Sequence, residues 1–272
     1  MDKIGEYIRR IEIDSLWSGQ KHIVWELNRK VNILSGVNGV GKSTILNKVI
    51  LRLLQAVKEG CPAKPDVKLT YEPADAVTVR FDVVRSFDRP LVHSNLLEKL
   101  ADDRVATELD WQLYLLQRRF LDYQVNVGNR MIALLTSGDP EAREKAKMAA
   151  QARVQFQDMV DELFSETGKK IVRSSNEIQL EQFGEVLSPY KLSSGEKQML
   201  VILLTVLVED RQPYVLFMDE PEISLHVEWQ QKLITLIRQL NPNVQIILTT
   251  HSPAMIMNRW MDAVTEVTDI TQ

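Results

Sequence analysis

Three groups of residues in this chain have the types and spacing to handle a phosphorylated ligand. The first is Gly36, Gly41, Lys42 and Ser43, which fit the order G-x-x-x-x-G-K-[ST] at every fixed position. In such a loop the glycines let successive backbone N–H groups curl around phosphate oxygens. The groups from Gly36 through Asn38, Gly39, Val40, Gly41, Lys42, Ser43 and Thr44 form the expected cradle for ATP. The helix that begins there adds partial positive charge. Lys42 is placed to reach the β- and γ-phosphates, and the Ser43 hydroxyl to ligate Mg²⁺. The second group, Asp219 and Glu220, ends the apolar run Tyr214 to Met218. Carboxylates at the C-terminal end of a buried strand lie where open α/β sheets bind ligands. Asp219 can hold Mg²⁺ with Ser43, and Glu220 can orient or deprotonate an attacking water. Alone, an Asp-Glu-Pro after a strand reads equally as a helix-capping turn. The third group, Ser193, Ser194, Gly195 and Glu196, opens an apolar helix and reads as an anion-binding N-terminus or a plain N-cap.

These groups need a parallel sheet to position them. Val31 to Leu34 reads as the strand feeding the loop, and Ser43 to about Lys58 as the helix leaving it, on the stripe Ile45, Val49, Leu53 and Ala56. Two further strands, from Tyr7 to Ile13 and His22 to Leu27, point to an antiparallel layer. Gly60 to Pro65 breaks the first helix. Val77, Val79, Phe81 and Val83 alternate within one strand expected over Ala76 to Val84. Tyr214 to Met218 is continuously apolar, as strands covered on both faces are, and Val244 to Leu248 reads as another buried strand. The second of these ends at His251, and a helix from Glu228 to Leu240 separates the two.

Between Ser94 and Ser165 the character changes. Leu109, Leu113, Leu116, Phe120, Tyr123 and Val127 are spaced 4, 3, 4, 3, 4, a heptad seam that slips at Met131 and Leu134. After Ser137 to Pro140, with Asp139 expected as N-cap, a return helix carries Ala149, Ala152, Phe156, Met159 and Leu163. An antiparallel helical hairpin follows, either projecting as an arm or packing on the domain surface. Arg143, Lys145, Lys147, Arg153 and Lys169-Lys170 offer a weak nucleic-acid contact or a solvated face.

The whole chain bounds the answer. Formal charge −4 and pI near 5.7 give no global attraction to nucleic acid. The single cysteine, Cys61, excludes an intrachain disulfide and suits a reducing compartment. The N-terminus lacks a signal-peptide core, and the longest apolar run, Met199 to Val208, is too short to span a bilayer. A cytoplasmic protein without membrane contact is expected.

Leu192-Ser193-Ser194-Gly195-Glu196 resembles the signature of ATP-binding-cassette ATPases, and Asp219-Glu220 with His251 resembles their Walker B and switch-histidine elements. The order matches along the chain outside residues 94–165. The Glu-Lys-Gln ending of the signature, Pro221 to His226, and Thr250-His251-Ser252-Pro253 resemble the RecF, chromosome-maintenance and overcoming-lysogenisation-defect (OLD-like) ATPases, which also carry helical insertions there. The resemblance implies an α/β fold: an ABC-type P-loop ATPase head with an antiparallel β-layer and a coiled-coil-like insertion. It implies residues 1–93 and 169–272 as the two parts of the head and 94–168 as the hairpin. It further implies a homodimer sandwiching ATP and Mg²⁺, with Ser193, Ser194, Gly195 and Glu196 acting in trans on the nucleotide. Lys42, Glu220 and His251 are then catalytic. Ser194 stands for the first signature glycine, Val227 for a frequent proline, and no glutamine loop follows Val84. Gln112 and Gln117 lie within the seam. The chain ends about twenty residues after His251, so a separately encoded effector is expected, in anti-phage defence or DNA repair. A regulatory ATP-binding scaffold with little turnover is the alternative, and a transporter's nucleotide-binding subunit a more distant one.

Overall fold

The structure is a computed structural model and describes residues 3–17, 19–59, 66–86, 105–257 and 259–272. The helix break at 60–65, Cys61, the Ala56 side chain and the boundary placed at 94 lie outside the described residues. At the centre stands a parallel sheet in the order β13-β4-β12-β11-β7. Its strands are β4 (Val31–Ser35), β7 (Phe81–Arg85), β11 (Tyr214–Asp219), β12 (Val244–Thr249) and β13 (Val264–Glu266). The sheet therefore draws strands from both sides of the helical region.

Both faces of the sheet are covered, which is why its central strands are mostly apolar, and the buried Asn32 and Gln245 bond to backbone. Along β11, Tyr214, Leu216 and Met218 enter one core, while Val215 and Phe217 enter another. The second core is closed by α1 (Lys42–Glu59) and by an antiparallel sheet of β3 (Lys21–Glu26), β2 (Tyr7–Leu16) and β5 (Val67–Glu72). The stripe Ile45, Val49 and Leu53 of α1 is buried there. Strand β5 alternates cleanly, with Val67, Leu69 and Tyr71 on the core side and Lys68 and Thr70 exposed, yet it was not expected. It is held by pairing along β2. The expected Ala76 to Val84 strand is two. Thr78–Val79 (β6) pairs with the short β1 (Ile4–Gly5), and the chain re-registers at Arg80 before β7 joins the parallel sheet. Arg80 makes that turn with its carbonyl accepting from Val215 N at 2.9 Å and its guanidinium on Glu209 at 2.7 Å.

The hairpin consists of α2 (Glu108–Thr136) and α3 (Ala142–Leu163). Its six-residue seam on α2, Leu109 to Val127, is wholly buried, and so are Ala152, Phe156 and Met159. What they cover is α4 (Ser194–Val208), a helix buried all round and apolar from Met199 on except at Thr205, within the first core. The hairpin's base thus packs on the domain surface. Beyond Val127 the seam leaves the core: Met131 and Leu134 are only half-buried, which accounts for the slip in spacing. Asp139 is not the N-cap of α3. Its carboxylate accepts from Glu141 N at 2.8 Å in a local turn, and the helix starts at Ala142. A short antiparallel sheet, β8 (Lys169–Ile171), β9 (Leu180–Gln182) and β10 (Glu185–Leu187), leads to α4. Helix α5 (Val227–Leu240) follows β11. No helix among the described residues is long and apolar enough to cross a membrane.

Candidate active site

Sheet register brings the motifs together. Asp219 at the end of β11 stands opposite Thr249 of β12, which stands opposite Leu34 of β4. The chain leaves β4 through Gly36, Gly39 and Gly41, at φ 147°, 79° and 104°, before α1 begins at Lys42. A side chain at such φ strains the backbone, so this loop depends on glycine. At Gly41 there is a second reason: a Cβ would lie 2.8 Å from the ring of Trp17.

Lys42 turns back into the loop, donating to Gly36 O at 3.0 Å and Val37 O at 3.2 Å, with His251 Nε2 at 2.6 Å. The same His251 nitrogen is 3.2 Å from Glu220 Oε1. Lys42, His251 and Glu220 therefore form a row at the loop. Burial holds the Lys42 pKa below the ordinary lysine value, against the upward pull of Glu220, Asp219 and Glu222. Glu220 sits at φ 49°, and its N–H donates to Thr249 O and Oγ1, both at 3.1 Å. That left-handed turn, uncommon for a residue with a side chain, brings the carboxylate to the histidine. Ser43 Oγ donates to Asp219 Oδ1 at 2.9 Å, and Thr249 Oγ1 donates to the same oxygen at 2.5 Å. The hydroxyl and carboxylate are an all-oxygen pair of the kind Mg²⁺ takes.

Glu222 was missed by sequence reasoning. Its Oε1 accepts from Thr250 Oγ1 at 2.6 Å, His251 N at 2.8 Å and Ser252 N at 3.2 Å. It fixes the loop that presents His251, and the available signal was a third carboxylate two residues past Glu220. Trp17 was missed as well. It is part-exposed against Gly41, with Lys21 Nζ 4.9 Å from its ring centroid.

The signature lies elsewhere. Ser193 caps α4 in a reciprocal capping box with Glu196. Glu196 Oε2 accepts from Ser193 N and Oγ at 3.0 and 2.9 Å, while Oε1 accepts from Lys169 Nζ at 2.7 Å and Thr167 Oγ1 at 3.1 Å. Burial alone would raise the Glu196 pKa, but the bonds from Lys169 and Ser193 outweigh it and hold the carboxyl below its usual range. Both oxygens of Glu196 are thus engaged within the chain. Gly195 is seated so closely on the loop after β11 that a Cβ would fall 2.4 Å from Ser224 O. Ser193 to Glu196 line a cleft of about 290 Å³ with His226 and Trp229. Ser43 and Asp219 line a different one of about 780 Å³, together with Ser86 and Gln112. Gln112 clamps the end of β7 through Arg85 N and O at 3.3 and 3.0 Å.

A phosphate loop, an acidic pair and a histidine at adjoining ends of parallel strands belong to an ATPase head, and residues 65–257 match the family described as "AAA domain, putative AbiEii toxin, Type IV TA system". The chain belongs to this family. Within it, the chain is an ATP-binding-cassette-like ATPase domain of the RecF, chromosome-maintenance and OLD-like group. It is 25% identical to the Septu protein PtuA of Bacillus thuringiensis over 92% of this chain and 72% of PtuA. It is 34% identical to the Retron Vc95 probable ATPase of Vibrio cholerae over 27% of this chain and 16% of that protein. The fold matches the crystal structure of an SMC head bound to the C-terminal winged-helix domain of ScpA. There the TM-score is 0.51 at 15% identity, covering 93% of this chain and 91% of that one.

Proposed function

We propose that this ATPase domain binds Mg-ATP, closes on it as a homodimer, hydrolyses it, and passes its nucleotide state to a separately encoded effector. The observation that carries the reading is the row Lys42, His251 and Glu220 beside the Ser43–Asp219 pair. Lys42 would bind the β- and γ-phosphates. His251 would contact the γ-phosphate, and Glu220 would accept the proton of the attacking water. Ser43 and Asp219 would hold Mg²⁺, which neutralises charge on the phosphates when bound. Trp17 offers a ring face beside the loop for a nucleobase.

The dimer is supported by the separation of the two clefts: the signature and the Ser43–Asp219 pair line different surfaces of one chain. A second chain would supply Ser193, Ser194 and the N-terminus of α4 to the first chain's nucleotide. Coupling is supported by the grip on α4. Its Lys197 pairs with Asp110 of α2 at 2.8 Å, and Glu196 pairs with Lys169 after α3 at 2.7 Å. A displacement of the signature is then carried to the hairpin through buried ion pairs. The similarity to PtuA favours anti-phage defence over repair. Nucleic-acid contact through the basic residues loses support, since Lys145, Arg153 and Lys169 all have partners within the chain.

Glu220→Gln tests this reading. Turnover should fall about a hundredfold or more while an ATP-bound dimer accumulates in light scattering. Undiminished turnover removes Glu220 from the chemistry. Wild-type ATP binding without measurable phosphate release leaves the scaffold reading in its place.

A further inference from the structure

We infer that the outer face of α2 is a second self-association surface, on which two copies of this chain pair antiparallel with their helices crossing at Gly128. Besides its buried seam, α2 carries a second heptad stripe. Leu121, Val125, Gly128, Ile132 and Leu135 are spaced 4, 3, 4, 3. It lies about a third of a turn round the helix from the buried seam. Val125, Ile132 and Leu135 are 60, 63 and 56% exposed and Leu121, at the rim of a cleft with Ile178 and Val186, is 38% exposed, so the described residues leave the stripe largely open.

Gly128 identifies what covers it. A glycine inside a helix costs about 1 kcal/mol relative to alanine, and no atom lies within 4 Å of where its Cβ would stand. Among the described residues nothing packs against that position from outside its own helix. Close approach of a backbone from outside supplies a cause for the glycine, because a small residue lets two helices approach at their crossing. The stripe is also symmetric about this point. With a two-fold axis at Gly128, Leu121 faces Leu135 of the second copy, and Val125 lies level with its Ile132, so apolar meets apolar at every step. Flanking positions Gln124, Asn129, Met131 and Thr136 are uncharged, the one flanking cation, Arg118, donates to Tyr114 Oη and stands near Asp122, and Arg130 is held by Asp210. The face therefore suits neither nucleic acid nor an anionic lipid surface, both of which need cations there. From Leu121 to Leu135 the stripe is about 21 Å long. One helix pair of that length buries less than the roughly 1,000 Å² of a persistent dimer. The contact is weak alone and adds to any nucleotide-dependent one.

Sedimentation of the full chain without nucleotide, from about 1 to 100 µM, tests the proposal independently of the ATP dimer. Reversible dimerisation is expected in the upper part of that range. Gly128→Ala should raise the melting temperature by a few degrees through helix propensity while weakening self-association about tenfold. Ile132→Glu, at an exposed position, should abolish it with folding intact. A chain that stays monomeric to 100 µM overturns the proposal and assigns the stripe to a different protein. A dimer insensitive to both substitutions overturns it too, by placing the contact elsewhere.

Discussion

The phosphate loop and the signature are the two poles of the proposed site, and they are built on opposite plans. At the loop, Lys42, His251 and Glu220 touch in a row and Lys42 also holds the carbonyls of Gly36 and Val37, through contacts that an incoming triphosphate can replace. At the signature, Glu196 is locked by four bonds from Ser193, Lys169 and Thr167, and Gly195 is wedged against Ser224 O. One pole has groups that can redistribute protons and charge. The other is a rigid edge presenting a hydroxyl and a helix N-terminus. A composite site needs both, since only a fixed donor edge can discriminate a properly closed dimer from a loose one.

The comparison breaks most sharply at Lys42. Lys42→Ala removes the loop's one cation and should weaken ATP binding about a hundredfold or more by titration calorimetry. Retained affinity would dismiss the loop as the nucleotide site. At the opposite pole, Gly195→Ala forces a Cβ into a backbone carbonyl 2.4 Å away. The loop after β11 or the start of α4 must shift, so turnover should fall roughly ten- to hundredfold. ATP affinity of the monomer should stay within about twofold, because in the proposed dimer the displaced groups serve the other chain's site. Equal losses of affinity and turnover would place both poles in one chain's pocket.

How legible all this was depended on whether the local pattern carried the constraint. The loop glycines, the Asp219-Glu220 pair and the continuously apolar run from Tyr214 to Met218 were readable because backbone geometry and two-sided burial dictate residue type directly. The buried seam of α2 was readable as a covered surface. Its cover was not, because α4 is almost continuously apolar from Met199 to Val208 and buried all round, and so shows no face. Strand β5 was legible but overlooked: Val67, Leu69 and Tyr71 alternate with polar residues, directly after the Pro62 to Pro65 break. Glu222 and Trp17 were missed for a different reason. Their roles rest on contacts with Thr250, His251 and Gly41, each distant in sequence. The Asp139 turn shows the converse, a good local cap signal that lost to an equally local alternative.

The smallest expected effect is also the one that separates structure from chemistry at the signature. Glu196→Gln keeps the shape of the capping box but leaves Lys169, whose side chain is 12% exposed, without its anion. The cost to folding should be about 2 kcal/mol in urea titrations at neutral pH, between a lost cap and a broken buried pair. Its pH dependence follows from the depressed pKa of the wild-type carboxyl. The folded state holds that proton less tightly than the unfolded chain, so the stabilisation is complete above the unfolded value near 4.5. It is lost as pH falls through the lower folded value. Wild type and variant should therefore differ at pH 7 and converge on acidification below about pH 4.5, with ATP affinity unchanged throughout. A gap that persists undiminished below pH 4 would mean that packing around Glu196, rather than its charge, holds the signature edge in place.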